Sequence, residues 1–255
     1  MSRPTGNLFG WTLALLAMAL FCSLGVWQLD RAQQKKAMLA ESRSVLAVRK
    51  PLPLRAAADP ARKAVYDWAQ GEGRFTEAPA VLLDNQTREG RSGVRVYRVF
   101  QPNMSQPDRH QADAAAAPPL LVELGWMPLA GDRRLPRIES FSGTLQVAGL
   151  LAPPPSAGLA SAIASPQADG NLLATSLDHA VLSNALKLPT LAPRVLRLDP
   201  ALKVGYLRDL DILPNTLPPE RHLGYAVQWF GLALTVFITA LVLTLRKRKQ
   251  RSQAA

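Results

Sequence analysis

LGYAVQWFGLALTVFITALVLTL, residues 223–245, carries no charged side chain and runs directly into Arg246, Lys247, Arg248, Lys249 and Arg251. Pro218 and Pro219 stand just before it, where the fixed φ of proline suits the first turn of a helix. A long apolar run opened by proline and closed by a basic cluster reads as a membrane-crossing helix. A second such run lies near the other end of the chain. No charge occurs from Pro4 to Leu29, and residues 8–29 would extend about 33 Å as a helix, enough for a hydrocarbon layer of roughly 30 Å. That run is too long for the apolar core of a signal peptide, and no small-x-small cleavage site precedes Trp27-Gln28-Leu29-Asp30. Two spans put both termini on one side, with Trp27 ending the first and Tyr225 and Trp229 opening the second at the same interface.

Basic residues near the spans almost balance: Arg3 and the five tail residues against Arg31, Lys35, Lys36, Arg43, Arg208 and Arg221. The tail is denser and adjoins its span, which places the termini in the cytoplasm. Net charge is +11, from 30 lysines and arginines against 19 acids, but much of the excess is in the tail. No basic motif with interleaved aromatics appears, so no nucleic-acid partner is expected. Cys22 is the only cysteine and lies within the first apolar run, which excludes an intramolecular disulfide and argues against thiolate metal delivery. His110, His179 and His222 are far apart and form no zinc-binding spacing.

Between the spans, residues 30–48 lack glycine and proline and read as a helical stalk that ends before Pro51 and Pro53. Strands are predicted at 65–75, 80–87, 94–100, 120–126, 144–151 and 195–198, and a helix at 177–188. The expected fold is α+β: two transmembrane helices flanking an extramembrane antiparallel-sheet or open-barrel domain with one or two helices. Two low-complexity insertions, 101–119 and 152–171, read as surface loops. The boundaries are a tail at 1–7, spans at 8–29 and 223–245, a domain at 30–221 and a basic tail at 246–255.

No hydrolase elbow, Walker loop or dinucleotide fingerprint is present, and Asp84 and Glu123 read as ordinary domain residues, so an enzyme is not expected. The polar emphasis falls on the membrane interface. His222, Tyr225 or Ala226, and Trp229 share one helix face, where an imidazole could ligate iron axially beside flat rings. A titratable residue among interfacial aromatics explains the same spacing.

Leu24-Gly25-Val26-Trp27-Gln28 with Arg31 and Lys35, Gly125-Trp126-Met127-Pro128, Gly149-Leu150-Leu151 to Pro155, and His222 to Phe230 with Ala233 occur in order along the chain. The ordered set resembles the surfeit locus protein 1 family of cytochrome c oxidase assembly factors. Glu123-Leu124 stands where that family commonly has Asn-Arg. The resemblance implies an assembly factor for a haem-copper oxidase, of the kind in bacterial members that bind haem a and assist its insertion into the catalytic subunit. By the same resemblance His222 would ligate the haem iron, Trp27, Tyr225 and Trp229 would wall the pocket, and haem a synthase would be a further partner. It also implies a multi-pass protein of the bacterial inner membrane with a periplasmic domain. A structural chaperone that stabilises oxidase subunits without touching haem is the alternative.

Overall fold

The computed structural model describes residues 5–103, 117–131, 134–155, 161–212 and 217–253. Most of the first insertion, part of the second, His110 and the extreme termini lie outside the described residues. The chain divides into two units, a helix pair from residues 1–40 and 216–255 and a sheet domain of residues 41–215.

The helix pair contains the two apolar runs. Helix α1 spans Thr5–Val48 without interruption, so the helix does continue past the first apolar run as its composition predicts. The second apolar run lies in α3, Pro219–Gln253, with Pro219 as its first residue. Both are long and apolar enough to cross a membrane. Small residues let them approach closely, as helices in lipid require: Ala32, Ala226 and Ala233 are buried, and the Phe230 ring sits where a side chain on Gly25 would be.

Among the described residues the sheet domain has nine strands: β1 (Pro51–Pro53), β2 (Asp67–Phe75), β3 (Val81–Arg88), β4 (Arg91–Pro102), β5 (Leu120–Pro128), β6 (Leu145–Ala152), β7 (Ala164–Pro166), β8 (Leu172–Ala174) and β9 (Val195–Leu198). They pair in the order β1-β2-β6-β9-β5-β4-β3-β8-β7, and β2 also pairs with β4 over Gly73–Phe75, which curls the sheet toward a barrel. All six predicted strands are present. Three short ones, β1, β7 and β8, were not foreseen, and they help make the sheet mixed: β1–β2, β3–β8 and β5–β9 are parallel. The reading of 152–171 wholly as a loop is corrected at 164–166, which pairs antiparallel with β8. Its composition hid it because an edge strand needs few apolar side chains and tolerates proline. Both edges of the sheet, β1 and β7, contain proline.

Alternation builds two cores. Residues Val94, Val96 and Phe100 of β4, Val122 and Leu124 of β5, and Leu196 and Leu198 of β9 face the concave side. Tyr97, Val99, Leu121 and Val195 face outward under Leu177, Leu182 and Leu186, which are carried by helix α2 (His179–Ala185) and its flanks. Asp178 caps α2 by accepting from Val181 N, and His179 contacts the Ala192 carbonyl, a structural role. The β3–β4 hairpin turns at Glu89 and Gly90, both at positive φ as a two-residue type I′ turn demands.

Strands β6 and β9 meet most tightly at Gly149, where a Cβ would lie 2.1 Å from the Arg197 carbonyl oxygen. That obstacle is backbone in the middle of a paired strand and cannot swing aside. Gly149→Ala is expected to cost about 3 kcal/mol, as overpacking against main chain does. Denaturant titration of the full chain checks this, and an unchanged midpoint would show that the two strands can separate freely.

Candidate cofactor site

The face of α1 turned to α3 carries Gly25, Gln28, Ala32 and Lys35, at helical spacings of three and four. The opposing face of α3 carries His222, Ala226, Trp229 and Ala233 at the same spacings. His222 lies in the first turn of α3, 6% exposed, although an isolated imidazole is costly to bury without partners. One partner is present. Its Nδ1 is 2.7 Å from Gln28 Oε1. An amide oxygen only accepts, so Nδ1 carries the proton and donates, and the neutral ring keeps its lone pair on Nε2.

Nε2 is buried and has no hydrogen-bond partner among the described residues. Leaving a buried acceptor unsatisfied costs about 1–3 kcal/mol. The arrangement matches a metal-ligating histidine, in which a second-shell acceptor on one nitrogen fixes the tautomer and aims the other at the metal. Iron of a porphyrin therefore fits the donor that this residue presents.

The other three predicted residues divide. Trp229 is half-buried and stacks on Phe21, with ring centroids 5.7 Å apart and planes 28° off parallel. Trp27 and Tyr225 point away from the helix contact, 56% and 41% exposed, so they present aromatic surface to the surroundings of the pair. Gln28 and Phe21 are the residues that spacing did not assign. A signal for Gln28 exists, since an uncharged amide inside an apolar run seldom sits there without a partner. Lys35, one to two turns farther along α1, donates from Nζ to the Leu217 carbonyl and ties the start of the second helix to the first.

Buried charge is concentrated in the sheet domain. Glu123 accepts from Arg95 Nη1 at 2.5 Å, from Arg197 Nε at 3.1 Å and from the Tyr97 hydroxyl at 3.2 Å. Burial, and then the neighbouring Glu123 carboxylate, raise the Tyr97 pKa well above its ordinary value, so the phenol remains a donor. Arg197 also donates to the carbonyls of Asp209 and Asp211, which fastens that segment beneath β5 and β9. The reading of Glu123 as an unremarkable domain residue is thereby refined: it is the centre of a cluster that joins β4, β5 and β9.

No curated protein sequence matches the chain. A family model described as the SURF1 family matches residues 15–234, a range that takes in Gln28, His222, Trp229 and the whole sheet domain. On that match the chain belongs to the SURF1 family, which is associated with cytochrome oxidase assembly.

Proposed function

We propose that this chain binds haem a at His222 and assists its insertion into the catalytic subunit of cytochrome c oxidase. The observation that supports this reading most is the buried Nε2 lone pair, unpartnered and oriented by Gln28. Haem, when bound, would supply an iron centre that an imidazole nitrogen can hold. His222 would provide that ligand, and Gln28 would hold its ring and tautomer. One imidazole at a helix end is a weak grip compared with a resident haem pocket, which suits a carrier that must release what it holds. The dense basic tail after α3 favours cytoplasmic termini, a periplasmic sheet domain and an inner-membrane location.

Full-length protein purified from a haem a-producing host tests the reading by its absorbance. The wild type is expected to carry a haem a spectrum, His222→Ala to lose it, and Gln28→Leu to bind about 10–100-fold more weakly. Equal haem content in wild type and His222→Ala, with both chains folded by circular dichroism, would leave the structural-chaperone reading in its place.

A further inference from the structure

A groove of about 410 Å³ runs between α1 and α3 at the end of the helix pair that carries the chain termini. One wall is Gly10, Ala14 and Ala17, spaced four and three along α1. The other is Val236, Ala240 and Leu243 of α3, and the next residue on that face, Lys247, stands at the mouth. Across the same end, Trp11 Nε1 donates to Thr244 Oγ1 at 3.0 Å and pins the helices together. A Cβ built on Gly10 would meet nothing, so the wall is open there.

Length, charge and width together select an occupant. From Val236 to Lys247 the helix rises about 16 Å, close to half of a hydrocarbon layer of roughly 30 Å. The groove is one leaflet deep, and its cationic mouth lies where the headgroups of that leaflet would be. Arg246, Arg248 and Lys249 continue the positive charge beyond it. A single hydrocarbon chain is thin enough. We infer that the groove is a binding site for one acyl chain of an anionic phospholipid, whose headgroup is held by Lys247 and the basic tail. The site is independent of His222, which sits at the opposite end of α3.

Native mass spectrometry of the full chain in detergent, exchanged against phosphatidylglycerol or phosphatidylcholine, tests the inference. The wild type is expected to retain one phosphatidylglycerol and to prefer it at least tenfold. Gly10→Leu and Ala240→Leu each place a side chain in the groove and should lower retention of both lipids about tenfold or more. Lys247→Gln should lower retention of phosphatidylglycerol alone, by about fivefold. Gly10→Leu adds its side chain to open space and favours helix, so it keeps the pair folded if Ala240→Leu does not. Equal retention of the two lipids by the wild type, or undiminished retention in both groove variants, overturns the site. So does a dimer that the groove variants dissociate, since a second copy would then be the occupant.

Discussion

Glu123→Ala is expected to destabilise the sheet domain by about 3–5 kcal/mol, a large part of the stability of an ordinary domain. The carboxylate is 2% exposed and is the counter-charge shared by Arg95 and Arg197, which are 7% and 6% exposed, with the Asp209 carboxylate 3.8 Å from Arg197 as the second acid. Truncation leaves two guanidinium groups and the Tyr97 hydroxyl in a space that water does not reach, and it is the stranded charge that is costly. Denaturation of the full chain, followed by circular dichroism, measures the loss. The triple variant Arg95→Met, Glu123→Leu, Arg197→Met supplies the comparison, because removing a whole buried ionic cluster is often neutral or stabilising. It should lie closer to wild type than the single change does. A single variant as stable as the wild type would mean that the cluster admits water and that the reading of its burial is wrong.

The same cluster shows why sequence alone reached the strands but not their chemistry. The short, almost continuous apolar run LLVELGWMP, the sequence of β5, betrays a strand with both faces covered, and that pattern is local. Whether Glu123 faces solvent or a pair of arginines depends on the register of β4 and β9, which come from elsewhere in the chain. Register is set by tertiary packing and leaves little trace in a single strand. The short edge strands were illegible for a related reason. In β1, Pro-Leu-Pro has a breaker's composition, yet a strand paired on one side can spare the missing donors.

At the helix pair the balance is reversed. Apolar runs of such length report themselves by composition, and spacing put His222 and Trp229 on one helix face, which the structure turns to α1. Tyr225 was bracketed with Ala226 because helical spacing admits either, and the structure buries Ala226 while Tyr225 turns outward. Gln28 could not be paired with His222 in advance, since the two are 194 residues apart and only the antiparallel register of the helices brings them within 2.7 Å.

Asp67→Asn is the other change expected to be severe, and its effect should depend on pH. Arg194 is fully buried and donates to Asp67 Oδ2 at 2.5 Å and to the carbonyls of Val65 and Ala56, while Arg62 reaches both carboxylate oxygens. Burial alone would raise the Asp67 pKa. The hydrogen bonds and charges of Arg62 and Arg194 outweigh it and hold the carboxyl below its ordinary value. A carboxyl whose pKa is depressed by folding contributes stability that is fully present above its unfolded pKa of about 3.9 and is lost as pH falls through the folded value. The wild type should therefore exceed Asp67→Asn by about 3 kcal/mol at neutral pH, since the amide leaves the buried Arg194 without a counter-charge. Below about pH 4 the gap should begin to narrow, and it closes only as pH falls through the lower folded value, where the wild-type carboxyl becomes neutral as well. Denaturation midpoints of both chains between about pH 1.5 and pH 7 measure it. A gap that stays constant across that range would show that Asp67 acts through shape and not through charge, and that Arg194 is balanced by its carbonyl partners alone.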